Sequence, residues 1–484
     1  MNTPELELHD IQGDVLIGLQ KKAELFLFFK IVDAAGFKAF VRQHVTSELT
    51  SAFRARERER ALYERRRLRE SSSEGWLGLN LGFTSHGMTQ LLGPGRSQME
   101  PAFERGADGP ETIALLHDPP HPTWLKDFCS DRIDGVFLIT GPDAYAVNYH
   151  GNSLRQRLGP AIKVVYSEMG AVRPGRERGA EHFGFTDGIS QPGIRGLTER
   201  SRPSAAPEEG RPGQDLIWPG EFVLGYPTQN PKDRRAPGPI TALPTPWARN
   251  GSYMVFRRLR QYVPEFWRFV GAEAARRGIS SELLASRMVG RWPSGAPMVL
   301  APHEDNARIA EDWRRNNDFG YASDPLQRAC PYAAHIRKVN PRDDDPEGKA
   351  AALTHRIIRA GITFGPEVMP GETKTVQSRG LMFVCYQASI ERQFEFIQAQ
   401  FANNPGFVGG KKRPNSDESV TPGFDPIIGQ APGNGPRTMD EPAPNYPYGN
   451  RRSALDLPDQ FVELTAAGYF FMPSLSALRT ALTH

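Results

Sequence analysis

The sequence predicts an α+β fold in two similar halves, and three observations carry that reading. Residues 25–166 run as strand, helix, strand and then strand, helix, strand, with one small extra helix. A comparable succession returns between residues 222 and 472. A Pro-rich stretch of charged and small residues, 196–219, stands between the two. The order within a half is the split βαβ arrangement, an antiparallel sheet covered by helices on one face.

In the first half, Leu25-Phe-Leu-Phe-Phe29 is an apolar run of strand length. Asp33 then offers a helix N-cap, and Phe37, Phe40, Val41 and His44 recur on one helical face. Residues 54–70 mix both charge signs at helical spacings, which reads as a solvated, salt-bridged helix or, alternatively, an anion-binding surface. Trp76–Phe83 reads as a strand, Ser85–Leu92 as a helix and Gly135–Thr140 as a second strong strand. A helix over Asp143–Arg157 and a strand over Ile162–Tyr166 close this half.

In the second half, Phe222–Leu224 and Tyr253–Phe256 read as strands. Val263, Phe266, Trp267 and Val270 share one face of a following helix. Leu381–Tyr386 is a central strand, a helix runs through Ile390, Phe394, Ile397 and Phe401, and Phe461–Met472 supplies the last strand. The expected division is a first domain over 1–195, a linker over 196–219 and a second domain over 220–484. Residues 403–424 and 431–450, rich in Pro, Gly and Asn, are expected to be long loops.

Composition narrows the function. The 484 residues carry 59 basic and 56 acidic side chains, a net charge of +3, which argues against an electrostatic nucleic-acid binder. No apolar run reaches the roughly 18 residues of a membrane span. The N-terminal residues lack a basic segment followed by an apolar one, so no secretory signal is expected. Cys129, Cys330 and Cys385 are isolated and suit a reducing cytoplasm. Phosphate-loop, dinucleotide, HExxH and GxSxG patterns are all missing, which removes local support for phosphoryl transfer, hydride transfer and zinc hydrolysis.

Three other segments carry chemistry. In Glu181-His-Phe-Gly-Phe-Thr-Asp-Gly-Ile-Ser-Gln-Pro192, glycines flank Asp187 and allow a bound group to approach the backbone. Among Phe183, Phe185 and Ile189 its carboxyl would be desolvated, its pKa raised, and a proton carried; an Asx-turn is the alternative. In Cys330-Pro-Tyr-Ala-Ala-His-Ile-Arg337, two alanines before His335 would admit a planar cofactor, although a lone histidine also serves as a packed structural residue. In His355-Arg-Ile-Ile-Arg-Ala-Gly-Ile-Thr-Phe-Gly-Pro-Glu367, Arg359 lies in an apolar context that requires an anion or an ion pair.

Taken together these segments closely resemble the dye-decolourising peroxidases. Asp10-Ile-Gln-Gly-Asp-Val-Leu16, Met288-Val-Gly-Arg-Trp-Pro-Ser-Gly-Ala-Pro297, Asn316-Asn-Asp-Phe319 and Gly380-Leu-Met-Phe-Val-Cys-Tyr-Gln387 extend the resemblance over most of residues 8–472, in order. The length and insertions resemble the larger subgroup. The resemblance implies two ferredoxin-like halves with haem b held mainly by the C-terminal one. It makes His335 the proximal iron ligand and sets Asp187 and Arg359 on the distal face. Arg359 is preferred to Arg356 because it stands two residues before Gly361 in the R-x-G-I-x-F-G frame. Leu381 and Phe383 would wall the distal pocket, and His182 and Arg195 would meet haem propionates.

The residue types suit peroxide chemistry. Asp187 could move a proton between the peroxide oxygens, and Arg359 could stabilise negative charge without losing its own proton. An acceptor on the far ring nitrogen would make His335 a stronger ligand, and Asp425, a carboxylate in the apolar Gly423-Phe-Asp-Pro-Ile-Ile428, is a candidate, with a buried cap or turn as the equal alternative there. Trp292, Tyr332 and Tyr386 lie in haem-associated segments by resemblance, as core residues or as electron relays. The implied enzyme reduces hydrogen peroxide and oxidises dyes, phenols and other small aromatic donors, as a monomer or homodimer. The alternatives are a haem-binding or iron-handling protein with incidental peroxidase activity, and a structural module without haem.

Overall fold

The computed structural model describes residues 5–68, 76–95, 98–200, 206–412, 417–441 and 454–484. Parts of the expected charged helix (69–70), linker (201–205) and long loops (413–416 and 442–450) lie outside the described residues.

The apolar runs 25–29, 79–83 and 135–140 become strands because each can bury both faces. The first half supplies β1 (Ala23–Ile31), β2 (Gly78–Phe83), β3 (Gly135–Gly141) and β4 (Ile162–Ala171), antiparallel in the order β4-β1-β3-β2. The second supplies β5 (Ser252–Gln261), β6 (Ile362–Phe364), β7 (Gly380–Gln387) and β8 (Val462–Met472), antiparallel in the order β8-β5-β7-β6. Both halves therefore share the ferredoxin-like order, with the fourth strand beside the first, then the third, then the second.

The two sheets are one object. Phe364 of β6 pairs with Gly170 of β4, and Phe471 of β8 pairs with Phe83 of β2. These two seams close eight strands into a barrel and leave no free edge between the halves. Side chains alternate accordingly. Phe26 and Phe28 of β1 point inward and meet Phe256, on the strand across the barrel, with ring centroids 5.3 and 4.9 Å apart. Phe28 also lies 6.0 Å from Phe470 of β8. Leu25, Leu27 and Phe29 point outward and belong to a separate core beneath the helices.

Helices cover the outer face. α1 (Ala144–Leu158) is capped by the Asp143 side chain, which accepts from Ala146 N, and buries Val147, Leu154 and Leu158. α2 (Val263–Arg277) buries Val263, Phe266 and Val270. The charged segment forms the helix Ala52–Leu68, with Arg60 paired to Glu57 and Glu199. None of the helices among the described residues is long and apolar enough to cross a membrane.

Three local expectations change. Phe222–Leu224 is a buried turn after Pro219–Glu221, and the place of that strand is taken by Ile362–Phe364. Apolarity there reports burial rather than extension. Leu216–Ile217, in the stretch read as a linker, pairs in parallel with Gly193–Ile194, and Ile217 is fully buried. Arg437–Asp440, within the second expected loop, pairs with Ala454–Leu457.

Because Phe28 fills the barrel interior from one wall to the other, Phe28→Ala is expected to destabilise the protein by about 3–5 kcal/mol. Guanidinium unfolding should register this as a lower midpoint, and an unchanged midpoint would contradict interior packing at this position.

Candidate active site

Between the outward face of the second sheet and the segments over it lies a cavity of about 260 Å³. Its walls are mostly apolar. Leu259, Leu381, Phe383, Phe394 and Leu464 contribute, so Leu381 and Phe383 are placed where the sequence reading expected a pocket wall. Alternation produces this wall: Met382 and Val384 face the barrel interior, which turns the neighbouring Leu381 and Phe383 outward.

His335 opens the helix α3 (His335–Val339) after the fully buried Ala333 and Ala334. Its Nδ1 lies 2.7 Å from Asp425 Oδ2. Asp425 is completely buried, and its Oδ1 accepts the backbone N–H groups of Ile427 and Ile428 at 2.8 and 3.0 Å. Burial pushes the Asp425 carboxyl up, but the facing imidazole and the two N–H donors outweigh it and hold it below its ordinary value. Burial likewise disfavours the charged imidazole, and Asp425 outweighs it to raise the His335 pKa. With Nδ1 engaged, Nε2 is the nitrogen available to a metal.

Asp187 sits on a loop bent by positive φ at Gly184 (103°) and Gly188 (82°), where a side chain would be strained. The loop is tied at several points. Glu181 accepts the N–H groups of Phe183 and Phe185 at 2.8 and 2.9 Å, and Thr186 donates N–H and Oγ1–H to the Pro293 carbonyl. Arg359 comes from a two-residue strand, Ile358–Arg359, paired with β7 through Tyr386 and Cys385. Its Nη1 donates to Asp187 Oδ1 at 2.7 Å, and Gly188 N donates to the same oxygen at 2.6 Å. The side chains are 40% and 29% exposed, and that exposure faces the cavity they line.

This pair corrects the expected titration of Asp187. Burial does push its carboxyl up, but Arg359 and the Gly188 N–H overcome burial and hold it below its ordinary value. The apolar neighbours read in the sequence are present, and the cation across the loop decides the direction.

Two expected cofactor contacts are also corrected. His182 is buried away from the cavity wall, with Nε2 beside the Phe364 carbonyl at 2.9 Å. Arg195 donates to the Pro207 and Arg234 carbonyls and stacks over Trp218, again off the wall. Trp292 and Tyr332 are core residues bonded to the carbonyls of Ala301 and Pro325. Tyr386 faces the barrel interior and donates to Asp14 at 2.5 Å.

Sequence reasoning missed Arg291 as a site residue and set Arg356 aside, yet both line the cavity, as does Asn340. Arg291 is held by the Gly295 carbonyl at 2.6 Å and the Ser190 hydroxyl at 2.8 Å, and Arg356 by Asn340 Oδ1 at 3.2 Å. Burial, with Arg342 close by, pushes Arg291 down to about 9, and burial pushes Arg356 down to about 10. Neither has a carboxylate ion pair among the described residues. A permanent cation amid apolar residues was the available signal. An apolar cavity bordered by an imidazole with Nε2 available and by guanidiniums without a carboxylate ion pair fits haem, whose propionates are anionic.

Two family models cover the chain: the DyP dimeric alpha+beta barrel domain over residues 10–174, and the Dyp-type peroxidase C-terminal domain over 222–408. A dye-decolorizing peroxidase of Mycetinis scorodonius is 36% identical, with 99% of this chain and 88% of that protein covered. A multifunctional dye peroxidase of an Amycolatopsis species is 30% identical over 98% of this chain and 95% of its own. Among solved structures, an ancestral D-type dye-decolorizing peroxidase superposes with a TM-score of 0.84 at 38% identity, covering 99% of this chain and all of its own. A dye-decolorizing peroxidase in complex with 2,6-dimethoxyphenol gives 0.79 at 33%, with the same coverage. Sequence, barrel and cavity agree, and the chain belongs to the dye-decolourising peroxidases, a family of haem-dependent enzymes.

Proposed function

We propose that this peroxidase reduces hydrogen peroxide and oxidises dyes and phenols of the dimethoxyphenol kind by one-electron steps. We assign its cofactor as haem b, with His335 as iron ligand and Asp187 and Arg359 as the catalytic pair. One observation supports this above all: His335, backed by Asp425, and the Asp187–Arg359 pair border a single apolar cavity. Division near residues 195 and 220 is proposed with it, since the family models end and begin at 174 and 222. Free thiols at Cys129, Cys330 and Cys385 support a reducing, cytoplasmic location.

Haem, when bound, would supply an iron that exchanges electrons with peroxide and, singly, with the aromatic donor. The chain does the rest. His335 offers Nε2, and Asp425 fixes the ring's orientation and keeps it electron-rich. Arg291, Arg356 and Asn340 offer donors to the propionates. Asp187 takes a proton from one peroxide oxygen and returns it to the departing one, so that water leaves in place of hydroxide. Both contacts to its carboxylate fall on Oδ1, which leaves Oδ2 for that proton. Arg359 keeps its charge throughout, because Asp187 outweighs burial and raises its pKa, and it stabilises negative charge on the departing oxygen.

Asp187→Asn is expected to retain haem and lower kcat/KM for peroxide by about 10²–10⁴; turnover within twofold of the parent would remove Asp187 from this role. His335→Ala should lose the Soret band of the purified protein, and a native band would end its assignment as ligand. The pH profile tests the pair. Asp187 acts as a base only when ionised, and its pKa is depressed. Activity should therefore persist as pH falls through about 3.9, the ordinary aspartate value, and fail only below it. Arg359→Leu leaves burial less opposed, so the acid limb of kcat/KM should move to higher pH while the rate drops about 10²–10³. An unmoved limb would show that Arg359 does not set the ionisation of Asp187.

A further inference from the structure

Arg359 occupies a place where the barrel wall has half a ladder. On one side its strand pairs with β7. On the other, strand pairing between β4 and β6 is confined to the Gly170–Phe364 pair, five residues further along the chain. The missing partner is supplied by a side chain. Gln191 Oε1 accepts the Arg359 N–H at 3.2 Å, and Gln191 Nε2 donates to the Arg359 carbonyl at 2.5 Å. One amide thus satisfies both backbone groups of Arg359, as a neighbouring strand would.

Gln191 is four residues beyond Asp187, so the loop that carries the carboxylate also grips the backbone that carries the guanidinium. The loop is itself anchored: the Gln191 carbonyl accepts from Gln214 Nε2 at 3.2 Å, and Ser190 Oγ accepts from Arg291 at 2.8 Å. Gln191 is half-buried and does not line the cavity, so it does not touch the reacting atoms.

We propose that Gln191 is a positioning residue for peroxide activation: its amide fixes the Arg359 backbone in register with the Asp187 loop, and so sets the 2.7 Å contact between their side chains. This rests on the assignment of Asp187 and Arg359 as the catalytic pair. A displacement of about 1 Å at such a site can cost a factor near 10². The variant Gln191→Met keeps the length of the side chain and removes both hydrogen bonds.

The test uses the full-length holoenzyme. Gln191→Met should keep its Soret band and the KM for the aromatic donor, while kcat/KM for peroxide falls about 10–100-fold. Its acid limb should move to higher pH, in the direction of Arg359→Leu. Hydrogen exchange at the Arg359 amide should accelerate at least about tenfold, while the Ala360 amide, bonded to the Val384 carbonyl at 2.9 Å, stays protected. Should Gln191→Met fail to fold, Gln191→Glu, which keeps the acceptor to Arg359 N–H, should show the same shifts at smaller amplitude. If the variant loses less than twofold while Arg359→Leu is crippled, or if rate falls with the acid limb unmoved, Gln191 does not position the pair. If Arg359→Leu itself retains peroxide turnover, the catalytic assignment fails instead, a separate result.

Discussion

Asp187 and Arg359 stand 172 positions apart in the chain and 2.7 Å apart in space, and barrel closure is what makes that contact possible. Asp187 follows the first sheet, whereas Arg359 belongs to the second. The seams at Phe364–Gly170 and Phe471–Phe83 fix one sheet against the other. A carboxylate alone on an apolar cavity wall would shed its charge, and a guanidinium alone would stay charged at a cost in burial. Held together, the guanidinium keeps the carboxyl ionised, the carboxylate offsets the buried cation, and the cavity gains a charged pair whose net charge is zero. The loop glycines and the strand against β7 matter because they deliver the two groups to this one meeting point.

Behind the cavity wall, against His335, lies a second aspartate, and its contacts differ from those of Asp187. Asp425 spends one oxygen on two N–H groups and the other on His335. Nothing in that arrangement leaves room for a travelling proton, which suits the orienting role proposed for Asp425. Asp187 receives its contacts on Oδ1 alone, which suits the proton-carrying role proposed for Oδ2. Both carboxyls are held below their ordinary value against the pull of burial, so both are ionised at neutral pH. Two aspartates with the same direction of shift thus differ in whether an oxygen is left uncontacted, and the two proposed roles rest on that difference.

Much of this was legible in the sequence because burial leaves a plain mark. Strands β1, β3, β5 and β7 are apolar runs, and Asp33 announces its helix by a cap that accepts the Gly36 N–H. Asp425 stood out since a carboxylate among Phe and Ile needs a partner, and His335 proved to be that partner. Closure of the barrel was not legible, for each seam is a single residue pair with no pattern to read. The three-residue β6 was hidden between Gly361 and Gly365, and the apolar Phe222–Leu224 took its place by default. His182 and Arg195 were placed at the cavity by their nearness to Asp187 along the chain. The turns at Gly184 and Gly188 break that nearness, and one side chain goes to the Phe364 carbonyl while the other lies on Trp218.

Arg291 and Arg356 show why a site can be unfavourable to its own fold. Burial lowers both pKa values, to about 9 and about 10, so at neutral pH the folded chain holds two cations that water would solvate better. Carbonyls, a hydroxyl and an amide oxygen soften that cost without neutralising it. Natural sequences break local rules chiefly where function requires it. Here the broken rule is an excess of buried positive charge beside the cavity, and an anionic ligand is what would restore the balance. A cofactor bearing carboxylates would then stabilise the folded chain by mass action as well as by contact. On this view the apolar wall, the imidazole and the uncompensated guanidiniums are one design, in which part of the stability of the native state is left for the ligand to supply.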